Sequence, residues 1–459
     1  MSAFTRTLAE FARICRGVLV GADRAFLEVS SDSRTLGTGD LFVALRGPRF
    51  NGNEFVPAAQ AAGAAGAVVD SQQPGNLAQI VCPDTQAALA RAAGAWRAQF
   101  HGPLIGVAGS NGKTTVKEMT AAILAAAGTT LATRGNLNNH IGVPLTLLRL
   151  TAEQRYAVIE MGANRAGDVA GLVGIVRPTI GLITNAGAEH LEGFGSLEGV
   201  ARAEGEMVAG LDADAIAVIN ADDAFAPLWR SMTRAGVRTF GVVAPADFTA
   251  TGILSDVDGE GFITRFSLVA PQGRVRVELR LAGRHNVTNA LCAAAAATAA
   301  GASLAQVAQG LATMRAVPGR LQLRRAQGGA WLIDDSYNAN PSSVRAGIDV
   351  LAELRGPRWL VLGDMAELGT FAESSHVDIG HYARERGVER LFATGQLAVL
   401  AVEAFGKGAE WYPDPEALAR SLAAQLPGDA RLLVKGSRMN RLERVVQTLA
   451  GADAARKTS

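Results

Sequence analysis

Cysteine is scarce. The 459 residues hold three, Cys15, Cys82 and Cys292, scattered, odd in number and without a C-x-x-C pair. This argues against a disulfide framework and a paired-thiolate metal site, and for the reduced thiols of a cytosolic protein. Net charge is almost absent too: 44 Lys and Arg against 43 Asp and Glu leave +1. Basic runs such as "LRLAGRH" are short and interrupted, so neither a nucleic-acid nor an anionic-membrane surface is expected. Long apolar runs are missing. "MSAFTRTLAEFARICRG" places Glu10 among helix-period apolar residues, unlike a signal peptide. The Ala-rich "NALCAAAAATAAG" (289–301) is too short and too weakly apolar to span a bilayer. No repeat of solenoid period occurs. The expectation is a soluble cytoplasmic protein, monomeric by default.

Hydrophobic residues make up 48%, enough for large cores, and the length suggests about three domains. Strand-like apolar runs alternate with helix-period segments, which predicts an α/β fold with parallel sheets. "PLIGVAG" is a buried strand and "TTVKEMTAAILAAAG" the helix after it, ended by Gly128. An N-terminal module carries strands in "DLFVALRG" and "AAGAVVD". Pro318-Gly319 in "MRAVPGRLQ" marks a second break, after which "AWLIDDS", "RWLVLGD", "RLFATG" and "ARLLVKGS" alternate with helices. The expected units are 1–84, 85–316 and 317–459. The first is a small α/β module, the second a central P-loop-type parallel-sheet domain and the third Rossmann-like.

Between the strand and helix of the central unit lies "GVAGSNGKTTVKEM" (106–119). Small residues let backbone N–H groups close around phosphate oxygens at a helix N-terminus. Gly109, Ser110, Asn111, Gly112, Lys113, Thr114 and Thr115 are the candidate ATP-binding residues. Lys113 is expected at the β/γ-phosphates and Thr114 on Mg²⁺. The loop is not a standard copy, because Val107 stands where G-x-x-x-x-G-K-[ST] has its first glycine. A metal also needs a carboxylate, and Glu160, closing "YAVIEMG", is the candidate. His190 follows the next strand in "TNAGAEHL"; alone it reads as structural, and imidazole is the weaker donor for Mg²⁺.

"GSNGKTT", "GNLNNHIGVP", "IEMGA", "TNAGAEHL" and "LAGRHNVTNALCA" occur in the order and spacing of the Mur ligases, and the chain resembles that family. These are ATP-dependent amide-forming ligases of peptidoglycan precursor synthesis. "DDSYNANPSS", "LGDMAELG" and "VKGSR" resemble the members that add D-alanyl-D-alanine to a UDP-linked tripeptide. The resemblance implies a first unit that recognises the UDP moiety, a third that binds the dipeptide, and ATP and Mg²⁺ as cofactors. Asn136, Asn138 and Asn139 would line the central site, where an isolated Asn cluster would be a turn. His285, Asn286 and Asn289 would meet the nucleotide, although helix capping is the local reading. Arg320 and Asp335 would contact phosphate and ribose, Asn338 and Asn340 the incoming dipeptide. Lys435 or Arg438 would pair with the dipeptide carboxylate, unless they form a solvated helix cap. Ser31, Ser33 and Arg34 in "SDSR" would face the UDP diphosphate; otherwise they form a polar turn.

One position departs from the family. Relatives commonly carry a lysine in the helix after the His190 strand, converted by CO₂ to a carbamate that assists a second metal. Glu204 stands there, fourteen residues after His190. It brings a carboxylate without CO₂, on a shorter arm, and joins Lys113, Glu160 and His190 as a catalytic candidate. The rivals are a folylpolyglutamate synthase-like ligase, against which the "DSR…DLFVAL" module argues, and a P-loop NTPase switch, which leaves "DSYNANP" without a task. A third-unit arginine reaches nucleotide on the central unit only if the segment near Pro318 is a hinge.

Overall fold

Leu104–Ala108 is buried at all five positions, the mark of a strand inside a parallel sheet covered on both faces. In this computed structural model, which describes residues 6–47, 50–188, 191–258 and 261–450, it lies within a six-stranded parallel sheet. The order is Gly236–Phe240, Ile216–Asn220, Ile180–Ile183, Leu104–Ala108, Tyr156–Glu160, Thr130–Ala132. The carboxyl ends of the three middle strands are therefore neighbours. They deliver the phosphate loop, Glu160 and the Thr184-Asn185 pair to one edge, where open α/β sheets place their chemistry.

The Ala-rich segment forms Arg284–Ala299, whose Ala290 and Ala293–Ala297 are fully buried. Side chains this small let the helix share a core with Val116, Met119 and Ile123 of Lys113–Ala125. A three-stranded antiparallel sheet, Thr249–Asp258, Gly261–Ala270 and Gly273–Leu279, joins the same core through Phe266, Leu268, Val277 and Leu279. The alternation of apolar runs with helices reads as an α/β fold with parallel sheets. This meander departs from that because Ala270 pairs with Gly273, whose φ of +129° only glycine adopts readily, closing a hairpin where a helix would otherwise intervene.

The N-terminal unit has five strands in the order Val18–Val20, Gln79–Val81, Gly66–Val69, Leu41–Val43, Val29–Ser30, with the first pair antiparallel. Its core is continuous with that of the central sheet through Thr85–Arg97. Buried Arg97 fastens the seam, donating to the carbonyls of Val176 (2.7 Å), Phe100 (2.6 Å) and Arg177 (2.9 Å). The third sheet runs Gln322–Arg325, Trp331–Asp335, Arg431–Lys435, Arg358–Gly363, Arg390–Thr394, Ala409–Tyr412. All its pairs are parallel except the first.

Candidate active site

The glycine pattern of the phosphate loop follows from what each position must do. Val107 is fully buried in the sheet, so the loop begins only at Gly109. Gly109 has φ +119°, and a Cβ there would lie 2.1 Å from Thr184 Oγ1; Gly112 has φ +82° and would strike Asn289 Oδ1 at 2.6 Å. Glycine is required at both. The Gly109 N–H donates to Glu204 Oε2 (2.7 Å), the Ser110 N–H to the Asn185 carbonyl (2.9 Å) and the Asn111 N–H to Asn185 Oδ1 (3.0 Å). Protein groups thus occupy the first three amides. The helix Lys113–Ala125 starts at Gly112 without a side-chain cap. Its first turn, with Lys113, Thr114 and Thr115, lacks intrahelical acceptors and presents the positive end of the helix dipole. Lys113 Nζ lies 2.5 Å from the Gly109 carbonyl and 3.0 Å from that of Ser110.

Glu160 is 1% exposed. Its N–H donates to Thr133 Oγ1 (3.0 Å), and Oε1 accepts from Asn138 Nδ2 (2.8 Å) and Thr114 Oγ1 (3.3 Å). Oε2 is buried with no hydrogen-bond partner among the described residues. An ionised oxygen left so is costly unless a cation faces it, and with the Thr114 hydroxyl it makes a hard oxygen set suited to Mg²⁺. His190 lies outside the described residues.

Of the asparagines after Thr133, Asn138 reaches the site through Glu160. Asn139 accepts from Ile141 N (3.1 Å) and Gly142 N (2.9 Å), starting the next helix, and Asn136 is exposed. Asn286 donates to the Ala282 carbonyl (2.8 Å), and Asn289 donates to Asn286 Oδ1 (3.1 Å) while abutting Gly112. Partly buried His285 sits 3.2 Å from Asn286 Nδ2. Desolvation, then the nearby charge of Lys435, pushes its pKa down to about 4. Glu204, 2% exposed, lies beneath the loop.

The third unit meets the loop directly. Arg320 Nη2 donates to Thr114 Oγ1 (3.2 Å), its guanidinium 4.5 Å from the Tyr337 ring centroid. Asn340 and Ser342 bond to Asn111. Lys435 is no solvated cap: it is 3% exposed, pairs with Asp335 Oδ2 at 2.6 Å and donates to the Asn338 carbonyl (3.0 Å). Burial pushes the Asp335 carboxyl up while Lys435 pulls it back. Asp335 Oδ1 also accepts from the N–H of Leu321, a leucine at φ +50° beside Gly319. Arg438 projects into solvent, 4.0 Å from Glu443, apart from Lys435. In the first unit, exposed Arg34 makes a two-point pair with Asp32 (2.9 and 2.7 Å), which holds the Asp32 carboxyl at about 2. Ser31 and Ser33 flank it, partly buried.

Sequence reasoning missed Thr133, Tyr337, Ser342 and Lys117. Lys117 is fully buried, and its ammonium donates to the Thr133 carbonyl (2.8 Å), bracing the residue that holds Glu160. A lysine four residues after Lys113 in a helix of apolar period was the available signal.

Three family profiles match: "Mur ligase family, catalytic domain" over 27–122, "Mur ligase middle domain" over 107–297 and "Mur ligase, glutamate ligase domain" over 319–438. The UDP-N-acetylmuramoyl-tripeptide--D-alanyl-D-alanine ligase of Escherichia coli (strain K12) is 45% identical over 96% of this chain and 98% of its own length. A crystal structure of MurF from Acinetobacter baumannii superposes with TM-score 0.89 at 33% identity, covering 97% of this chain and 99% of that one. MurF from Thermotoga maritima in complex with ADP superposes at 0.79 with 26% identity, over 94% and 98%. Phosphate loop, buried carboxylate and third-unit arginine stand in the matched segments, and the chain belongs to the Mur ligase family.

Proposed function

We infer that this chain is the ATP-dependent ligase that joins D-alanyl-D-alanine to UDP-N-acetylmuramoyl-tripeptide in peptidoglycan precursor synthesis. The observation that carries the reading is Arg320 on Thr114, which brings a cation of the third unit to the phosphate loop of the second. The likeness to the Escherichia coli ligase along almost the whole chain names the substrates.

Carboxylates do not react with amines at useful rates, so the tripeptide's terminal carboxylate is first activated. Its oxygen attacks the γ-phosphorus of ATP, the bond to ADP breaks, and an acyl phosphate forms. The dipeptide amine then attacks the acyl carbon, giving up a proton as the tetrahedral intermediate collapses and inorganic phosphate leaves. Lys113 neutralises the β/γ-phosphates, and Arg320 adds a second cation on the transferring group. Thr114 and Glu160 would hold Mg²⁺, with His190 the further ligand that the family likeness implies, and the ion would supply charge neutralisation at the triphosphate.

The remaining assignments rest on position and family likeness. Residues 1–84 take the UDP moiety through Ser31, Ser33 and Arg34, the last exchanging Asp32 for diphosphate. Residues 85–316 hold ATP, with Asn286, Asn289 and His285 behind the loop and Asn136, Asn138 and Asn139 toward the tripeptide. Residues 317–459 bind the dipeptide near Asn338, Asn340, Lys435 and Arg438, with Asp335 toward the ribose. Glu204 supplies the carboxylate that relatives make from lysine and CO₂. The enzyme works as a cytoplasmic monomer.

ADP release against a panel of UDP-linked peptides and amine acceptors tests this. Release only with tripeptide plus D-alanyl-D-alanine, and a hydroxamate when hydroxylamine replaces the amine, is the expected result. ATP turnover that ignores the acceptor sinks it in favour of a nucleotide switch.

A further inference from the structure

The hydrogen bonds of Asn111 divide by unit. Its N–H donates to Asn185 Oδ1 (3.0 Å), and its carbonyl accepts from Thr184 Oγ1 (2.7 Å) and Asn185 Nδ2 (2.9 Å). Those bonds fix the backbone inside the central unit. The side chain belongs to the third: Oδ1 accepts from Asn340 Nδ2 (2.8 Å) and Nδ2 donates to Ser342 Oγ (3.0 Å). A primary amide held at both its donor and its acceptor end has little freedom to bind elsewhere.

The receiving side is rigid. Asn340 caps the helix Pro341–Glu353, accepting from Ser343 N (2.8 Å) while its own N–H donates to Ser343 Oγ (3.0 Å). Space for the contact depends on Gly187. A Cβ there would lie 2.7 Å from Asn111 Nδ2 and 3.2 Å from Ser342 Oγ. Gly187 is not among the glycines with positive φ, so its backbone tolerates alanine and the crowding comes from the neighbouring side chains.

We propose that Asn111 is a positioning residue whose side-chain amide, clasped by Asn340 and Ser342, couples docking of the third unit to the geometry of the phosphate loop. The third unit then grips the loop at two places, Asn111 and, through Arg320, Thr114. Anything that favours the docked state tightens nucleotide binding, and by linkage the nucleotide favours docking. Acid activation is thereby confined to the state in which the amine-binding unit is in place. This deepens the ligase reading, on which its activity arm rests.

The test uses Asn111→Ala, Ser342→Ala, their double variant, the wedge Gly187→Ala and the conservative Ser342→Thr. Ser342→Ala, which removes one bond of the clasp, should lower kcat about fivefold, the value of one ordinary hydrogen bond, and Asn111→Ala, which removes both, should lower it further. KM for tripeptide should not move, Ser342→Thr should recover, and the double should lose no more than the worse single. Small-angle scattering with an ATP analogue should show Ser342→Ala and Gly187→Ala less compact than wild type. Additive losses, or unchanged compaction, overturn the proposal. If wild type releases no ADP with D-alanyl-D-alanine, the ligase reading fails instead, and scattering alone still decides the clasp.

Discussion

Arg320 Nη2 stands 3.2 Å from Thr114 Oγ1, joining residues 206 positions apart in the chain and two sheets that share no strand. The arginine is stacked on Tyr337 and follows Gly319, so its reach is set by the turn rather than by side-chain flexibility. Arg320→Lys keeps charge but loses the planar fork and the stacking. It should lower kcat on the order of a hundredfold, as removal of one preorganised donor does, with a smaller change in nucleotide Kd. Equal losses in kcat and nucleotide affinity would assign Arg320 to ground-state binding only.

Glu160→Gln is nearly isosteric and removes a charge with one oxygen unpaired among the described residues. Thermal stability in metal-free buffer should hold or rise, because the variant no longer buries an uncompensated charge. Ligation should fall at least about a hundredfold. Calorimetric Mg²⁺ titration with an ATP analogue should show weakened binding. Undiminished Mg²⁺ binding would move the metal away from Glu160.

Glu204 brings its own carboxylate to Gly109 N, 2.7 Å away. Activity should be indifferent to removal of bicarbonate, and Glu204→Lys should create a dependence on it. Collapse of the unaltered enzyme in CO₂-free buffer would refute the substitution.

The Asp335–Lys435 pair is buried on both sides, at 12% and 3% side-chain exposure. Lys435→Met strands the carboxylate and should cost about 3–5 kcal/mol in urea denaturation, as breaking buried pairs does. Adding Asp335→Asn should recover much of that loss. A single variant as stable as wild type would mean the pair opens to solvent.

Folding lowers the pKa of two histidines. Burial, then Lys435, takes His285 from 6.5 to about 4; burial lowers His376, whose Nε2 accepts from the Met365 N–H (3.0 Å). Below its ordinary pKa the unfolded chain binds protons that the folded chain refuses. Stability from these groups is therefore complete above pH 6.5 and lost as pH falls toward 4. Chemical denaturation across that range should show the decline, and His285→Gln should flatten part of it. A profile level from pH 7 to 4 would contradict the assignment.

The glycine-rich strand-to-helix turn and the buried place of Glu160 were legible because their signals are local: a buried strand, small residues, a helix start, and an acid closing a neighbouring strand. The antiparallel sheet was not, since its three consecutive strands have no helix between them and its outer two, Thr249–Asp258 and Gly273–Leu279, are largely exposed. Residue type also could not separate the lysine and arginine of "VKGSR", which it offers alike for one carboxylate or as a solvated cap. Lys435 ends a strand and turns inward to Asp335, while Arg438, three residues on, has already left the sheet for solvent.

By itself the sequence determined the parallel α/β scaffold, the place of the turn between Leu104–Ala108 and its helix and the glycines that turn needs, because apolar period and backbone sterics act over a few residues. Only the tertiary structure decided that Asn111 meets Asn340 and Ser342, that Arg320 meets Thr114 and that Glu204 supports Gly109. Those are short-range polar contacts between residues 95 to 231 positions apart. Their geometry exists only after whole sheets have docked, and no local pattern encodes it.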